Sequence, residues 1–176
     1  MKITIRQETR EDHKEVFSLI EKAFEKEPYS DHREQFLVER LRKSSAFIPQ
    51  LSLVAEAKGV VVGYILVTAL KIKGEREEFD SLALAPVAVL PELHGKGIGA
   101  QLIEEAHRKA IELGYTSVIL LGHAAYYPRF GYRQAHTFGI TLPFEVPKEN
   151  CMAIELVADA LKGVQGVVAY PQEFYE

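Results

Sequence analysis

The sequence is poor in cysteine and has no tryptophan, with Cys151 as the single thiol among 176 residues. One cysteine cannot form an internal disulfide, so the disulfide framework of a small secreted protein is excluded. The histidines lack the spacing of metal ligands, because His94 and His107 are too far apart for one helix face. The sequence therefore predicts a cytoplasmic protein that holds no metal.

Long hydrophobic runs and an excess of basic residues are also missing. No apolar run approaches the roughly 20 residues that a membrane helix needs, and a net charge of −4 gives no basic footprint for nucleic acid. The chain starts like a strand rather than a signal peptide, because Ile3 and Ile5 alternate with polar residues. With 47% apolar and 26% charged residues, we expect one domain over residues 1–176 that binds neither membrane nor nucleic acid.

The first fifty residues carry the signals of two helices. Residues 9–12 have a capping-box-like pattern, which is typical of a helix start, and Pro28 ends the apolar periodicity that follows. A second helix is predicted to begin near Asp31 and to finish before Pro49.

Strand signals dominate the centre of the chain. Residues 51–56 and 60–67 are β-rich runs around a short turn, which predicts a hairpin. Residues 79–89 predict the next strand, and Pro86 within it predicts a bulge or break, because proline cannot donate to a β-ladder.

The second half continues with a helix that Gly114 is placed to cap, a buried strand over residues 116–121, and a short helix or turn before Gly131. Short strands are predicted around Ile140 and over residues 152–157. This order of elements indicates a mixed sheet in one α/β domain.

A turn with three glycines separates the central strand from the following helix, in the sequence Pro91-Glu-Leu-His-Gly-Lys-Gly-Ile-Gly-Ala100. The first amides of a helix lack internal partners, and the helix dipole favours anions at that end. The turn is therefore a candidate phosphate site, although the glycines are also compatible with nothing more than a tight turn.

Nucleotide binding is disfavoured at this turn. Gly95-x-Gly97-x-x-Ala100 formally matches a dinucleotide fingerprint, but positions 115–122 hold no acidic residue and four residues separate Leu90 from Gly95. The Gly-Lys-Ser/Thr of a Walker loop is also missing.

Two motifs together resemble the GCN5-related N-acetyltransferase (GNAT) family. The usual acyl-CoA pattern of that family, Gln/Arg-x-x-Gly-x-Gly/Ala after a proline, falls on His94, Gly97 and Gly99. A second segment, Tyr126-Tyr-Pro-Arg-Phe-Gly-Tyr132, resembles the Tyr-Tyr-Pro-Arg-Phe-Gly-Phe-like segment of a bacterial branch. Two motifs in the right order are more specific than either alone.

The resemblance implies a fold and a donor substrate. The fold is α/β, a mixed and mostly antiparallel sheet flanked by helices, with a splayed strand pair where acetyl-CoA enters. Amides of residues 95–100 would hold the pyrophosphate, and the edge of the motif strand would pair with the pantetheine arm. The implied acetyl-CoA-binding residues are Val87, Ala88, Val89, His94, Gly95, Lys96, Gly97, Ile98, Gly99 and Ala100. Since His94 replaces the usual Gln or Arg, it either contacts phosphate or is a solvated loop residue.

The resemblance assigns a catalytic acid, and the residues themselves offer candidates for a base. Tyr127 matches the family's acid, a proton donor to the leaving thiolate, although Tyr126 and Tyr127 are also compatible with aromatic packing. Asp80 is the candidate base, with Glu78, Glu56 and His123 as alternatives. Arg129 is expected to brace the turn or to contact a substrate carboxylate. Cys151 is interpreted as a small buried hydrophobe, because the family transfers without an acyl-enzyme.

The resemblance therefore predicts an acetyl-CoA-dependent N-acetyltransferase that acts in a ternary complex on a small-molecule or protein amine. The alternative is an acyl-CoA-binding sensor or scaffold without turnover. The sequence identifies neither the amine nor the length of the acyl chain, and it leaves a homodimer open.

Overall fold

The computed structural model describes all residues from 1 to 176. Three α-helices are present, α1 (His13–Phe24), α2 (Glu34–Arg42) and α3 (Ile98–Glu112). The nine strands are β1 (Thr4–Gln7), β2 (Ser52–Ala57), β3 (Val60–Lys73), β4 (Glu78–Val89), β5 (Ser117–Leu121), β6 (Arg133–Gln134), β7 (Ile140–Thr141), β8 (Cys151–Glu155) and β9 (Gly166–Ala169). None of the helices is long and apolar enough to cross a membrane.

All nine strands belong to one sheet, whose main path runs β1-β2-β3-β4-β5-β8-β6. The remaining strands join it through β9, which pairs with both β3 and β7. Only the β4–β5 and β7–β9 pairs are parallel. The expected mixed, mostly antiparallel sheet with flanking helices is therefore confirmed.

Helices cover both faces of the central strands. Neighbouring residues of β3 face opposite sides, as the period of two in a strand requires. Val67 packs in the cluster that contains α3, whereas Leu66 packs in the cluster that contains α1 and α2. Because both faces are buried, β3 is an almost continuous apolar run rather than an alternating one.

The boundaries of the helices follow local signals. The amide of Thr9 donates to Asp12 Oδ2 at 2.7 Å, which completes the expected capping box, but a 3₁₀ turn over Arg10–Asp12 precedes α1. Helix α2 begins at Glu34, later than expected. Gly114 follows α3 with φ of +91°, a conformation that suits glycine at a helix end.

Strands β4 and β5 diverge after a single parallel pairing, between Ala83 and Ile119. The register of β4 against β3 shifts at Pro86, since Val67 pairs with Leu84 and the next pairing joins Ile65 to Val87. The bulge expected at Pro86 is therefore present. Beyond it, β4 continues to Val89 without β5 beside it, which opens the splayed gap that the family resemblance predicts.

Candidate active site

The glycine loop joins the end of β4 to α3 in a left-handed conformation. Gly95 and Gly97 both have φ of +79°, and no atom lies within 4 Å of where a side-chain Cβ would stand. These two glycines are therefore needed for backbone conformation rather than for space. The loop is exposed, while the side chain of Ile98 is buried and anchors the start of the helix in the core.

The amides of residues 95–100 have no hydrogen-bond acceptor within the protein. The first helical partner appears at Gln101, whose amide donates to the carbonyl of Gly97 at 3.1 Å. No side chain caps α3, and no acidic residue lies in its first turn. The loop therefore offers a row of free N–H donors with the positive end of the helix dipole behind them, which suits a phosphate group. The exposed Lys96 adds a positive charge to the same loop.

His94 folds back onto the strand instead of facing the loop amides. Its Nε2 atom lies 2.9 Å from the carbonyl oxygen of Val89, so the ring donates a hydrogen bond there. The exposed side chain therefore braces the strand-to-loop junction.

The free edge of β4 presents only alternate residues to the gap. The amide of Leu90 donates to the carbonyl of Val62, and every second residue of this end of β4 exchanges backbone hydrogen bonds with β3. Val87 and Val89 lie between these hydrogen-bonded residues, so their backbone amide groups point toward the gap. Ala88 directs its amide groups to β3, and its side chain is buried beneath α1. This corrects the expectation that Ala88 takes part in edge pairing.

The ring of Tyr127 lies at the end of β5, where the gap opens. Its Cε2 atom is 2.5 Å from the position that a Cβ atom on Gly122 would take, so the absent side chain makes room for the ring. Tyr126 and Tyr132 meet it edge-on, with centroids 5.1 and 5.8 Å away. Tyr127 is 8% exposed, and burial raises its pKa well above the usual value for tyrosine. The phenol therefore keeps its proton at any physiological pH.

Arg129 braces the turn that carries both tyrosines. Its Nε atom donates to the carbonyl of Tyr126 at 2.8 Å, and its guanidinium lies 4.5 Å from the centre of the Tyr126 ring. This arrangement matches the first of the two roles expected for Arg129.

Asp80 lies near the start of β4, opposite Lys71 of β3, with which it forms an exposed ion pair. Glu78 also forms an exposed ion pair, with its Oε1 atom 3.9 Å from Nζ of Lys73. A carboxylate that is paired at the surface is more typical of a solvated strand end than of a catalytic base.

The strand register separates Asp80 from Tyr127. Asp80 precedes the paired residue Ala83 by three positions, whereas Gly122, which Tyr127 covers, follows the partner Ile119 by three positions. Six positions of extended strand correspond to about 20 Å. The structure therefore contradicts Asp80 as a base that acts beside Tyr127.

Of the other candidate bases, Glu56 is also removed from the gap. It accepts a hydrogen bond from Arg6 at 2.7 Å, at the opposite edge of the sheet. His123 lies in the turn after β5, and its Nε2 atom is 3.4 Å from a carboxylate oxygen of Glu27. The pair links the segment after α1 to the turn that carries Tyr127. Sequence reasoning missed Glu27, because nothing local marks it.

His107 and Cys151 both have pKa values that burial shifts. His107 of α3 has Nε2 2.8 Å from the hydroxyl of Tyr132, and burial lowers the pKa of His107 to about 4. Cys151 is buried, which raises its pKa to about 11 and leaves it without thiolate character. The interpretation of Cys151 as a small buried hydrophobe is therefore confirmed.

Comparison with known proteins gives this arrangement a family. Residues 4–135 match a family model described as an acetyltransferase (GNAT) domain. The chain belongs to the GNAT acetyltransferase family. The GNAT model covers the glycine loop and the turn with both tyrosines, so both motifs lie within the matched region.

Relatives of this GNAT chain include two proteins of Escherichia coli K12 that are named as uncharacterized N-acetyltransferases. YhbS is 31% identical over 171 residues, which is 97% of each chain. YjhQ is 39% identical over 119 residues, which is 67% of this chain and 66% of YjhQ.

Solved GNAT structures have the same fold. The E. coli YhbS structure in complex with CoA has a TM-score of 0.87 and 29% identity, and the alignment covers 100% of this chain and 93% of that one. A Brucella melitensis GNAT acetyltransferase in complex with acetyl-CoA has a TM-score of 0.81 and 33% identity, with 98% of each chain covered.

Proposed function

We propose that the protein transfers an acetyl group from acetyl-CoA directly to an amine, in a ternary complex. The observation that carries this proposal is the row of unpaired amides at residues 95–100, next to a strand edge that opens on a gap. Phosphate oxygens and an extended amide-containing arm are the ligands that these two features fit. The GNAT relatives that bind CoA or acetyl-CoA support the same donor.

In the proposed complex, the loop amides and Lys96 hold the diphosphate, while Val87 and Val89 pair with the pantetheine arm. These contacts direct the thioester into the gap toward Tyr127. Binding the donor and the amine in one cleft converts a bimolecular encounter into an intramolecular reaction, which is a large source of rate enhancement.

The reaction needs one bond formed and one broken. The amine nitrogen bonds to the thioester carbonyl carbon, the carbon–sulfur bond breaks, and the electron pair of that bond leaves on sulfur. Tyr127 stabilises the developing thiolate by donating a hydrogen bond, and its high pKa favours this role over complete proton transfer. The leaving thiolate then takes its proton from solvent.

The amine must lose a proton, and we assign His123 as the base that accepts it. Its position in the same turn as Tyr127 supports this role, and Glu27 stabilises the imidazolium that forms. Asp80, which the sequence favoured, has no comparable position.

The test combines binding and turnover. Calorimetry is expected to give saturable binding of acetyl-CoA by the purified protein, and a panel of small-molecule and peptide amines is expected to include at least one that accelerates release of CoA. If acetyl-CoA does not bind, the proposal fails. Binding without amine-dependent release from a broad panel supports the alternative, an acyl-CoA sensor or scaffold.

A further inference from the structure

The hydroxyl of Tyr126 lies against the first turn of α3. It is 3.2 Å from the position that a Cβ atom on Gly99 would take, and a methyl group of Val89 is 3.8 Å from the same point. Gly99 has no side chain, so the phenol approaches the helix backbone closely. Tyr126 therefore sits where the end of β4, the glycine loop and α3 meet.

This hydroxyl is a donor without a partner. Hydrogen bonds within the protein engage the hydroxyls of Tyr64 and Tyr132, but the hydroxyl of Tyr126 has none. Partial burial raises the pKa of Tyr126, so the group remains a neutral O–H donor. It stands beside the unpaired amides of residues 98–100, which are donors as well. Several unsatisfied donors in one place call for an acceptor that carries several oxygen atoms.

The ring of Tyr126 is held from several sides. Tyr127 and Phe130 meet it edge-on, with centroid distances of 5.1 and 5.3 Å. The guanidinium of Arg129 covers one face and is anchored by its hydrogen bond to the backbone of Tyr126. Arg129 is exposed and forms no ion pair, and the charges of both Arg129 and Glu104 act on the hydroxyl of Tyr126. A fixed ring loses little entropy when its hydroxyl binds a ligand.

We propose that the hydroxyl of Tyr126 donates a hydrogen bond to the diphosphate of CoA, and that Arg129 adds positive charge behind it. This rests on the proposed function, since it requires that residues 95–100 hold that diphosphate. The two adjacent tyrosines then have separate tasks. Tyr126 retains the donor substrate, and Tyr127 acts at the thioester.

The test is a crossed comparison of two phenylalanine variants by calorimetry with CoA. Because Phe keeps the ring, each variant removes only a hydroxyl. Tyr126→Phe is expected to bind CoA about tenfold more weakly, which is typical for loss of a hydrogen bond to a charged group. Its activity is expected to fall through a higher KM for acetyl-CoA. Tyr127→Phe is expected to bind CoA like the wild type and to lose turnover.

Two further measurements locate the contact. The loss in Tyr126→Phe is expected to be equal for CoA and dephospho-CoA, and the ³¹P resonances of the bound diphosphate are expected to move relative to the wild type. A loss that disappears with dephospho-CoA would assign the contact to the 3′-phosphate and overturn the proposal. Arg129→Gln is expected to reduce the salt dependence of CoA binding, whereas Tyr126→Phe leaves that dependence unchanged.

The outcomes separate this inference from the proposed function. Wild-type affinity in Tyr126→Phe overturns the role of Tyr126 and leaves CoA binding by the loop intact. Tighter binding by Tyr126→Phe also overturns it, because the hydroxyl then obstructs the ligand. A wild-type protein that fails to bind CoA rejects the proposed function itself.

Discussion

The ring of Tyr127 occupies the space that a side chain at Gly122 would need, with Cε2 2.5 Å from the corresponding Cβ position. Gly122 does not have a positive φ, so alanine fits its backbone and conflicts only with the ring. Gly122→Ala is therefore expected to displace the phenol and to lower turnover. The overpacking is expected to cost about 1–3 kcal/mol of unfolding free energy.

A variant that lacks the Tyr127 ring provides the control for Gly122→Ala. In Tyr127→Ala, adding Gly122→Ala is expected to cost little further stability or turnover, because the conflicting group is gone. Additive losses in the double variant would mean that the two residues act independently. Urea unfolding and CoA-release assays measure the two effects.

Removal of the phenol oxygen tests the chemistry of Tyr127 directly. Tyr127→Phe is expected to lower kcat by about 10²-fold with the most reactive amine of a panel, since one hydrogen-bond donor to the leaving group is lost. The ring packing is retained, so the unfolding free energy is expected to remain close to that of the wild type. Unchanged kcat in a folded variant would remove Tyr127 from the mechanism.

The choice between two candidate bases can be tested with a matched pair of neutral variants. His123→Gln is expected to lower kcat/KM about 10²-fold. Asp80→Asn is expected to leave kcat/KM unchanged, because Asp80 pairs with Lys71 far from Tyr127. The reverse pattern would restore Asp80 as the base.

The left-handed loop can be tested against a glycine with the same conformation elsewhere. Gly97 and Gly163 both have φ of +79° and open space at the Cβ position. Alanine at either site is expected to cost about 1–2 kcal/mol of stability, because of the left-handed backbone. Only Gly97→Ala is expected to weaken CoA binding. Equal CoA affinities in the two variants would contradict the assignment of the loop amides to phosphate.

Burial of His107 predicts how stability depends on pH. Its pKa is lowered from 6.5 to about 4, so the folded protein holds the neutral ring where the unfolded chain binds a proton. The free energy of unfolding therefore keeps its full value above pH 6.5. It decreases as the pH falls toward 4, by up to about 3 kcal/mol. Urea unfolding between pH 7 and 4 measures this loss.

His107→Gln is expected to flatten this part of the stability profile, because no titrating group remains at the position. Below pH 4 the variant is still expected to lose stability, since Arg6 lowers the pKa of Asp12 from 3.8 to about 2. That carboxylate stabilises the fold above pH 3.8, and its contribution disappears as the pH falls through 2. A profile with the wild-type slope between pH 6.5 and 4 would reject the role of His107.

Local patterns determined most of the fold and part of the site. The apolar periodicity of α1 and α3, the hairpin around Lys58-Gly59 and the proline within β4 each act over a few neighbouring residues, so the sequence reveals them directly. The glycine loop is equally local, because its backbone conformation depends on the glycines it contains. Strand β9 was not predicted, since its pairing with β3 joins segments about a hundred residues apart.

The tertiary structure decided which residues meet. The parallel register of β4 and β5 places Asp80 away from the site. The backbone amide groups of Ala88 bond to β3, so they are not available at the free edge of β4. Folding also brought Glu27 to His123 and the hydroxyl of Tyr126 to Gly99. The sequence by itself therefore determined the order of most elements, the glycine loop and the tyrosine turn, because these depend on neighbouring residues. Long-range register and packing decided the separate positions of the two tyrosines, since no local pattern encodes a contact between distant segments.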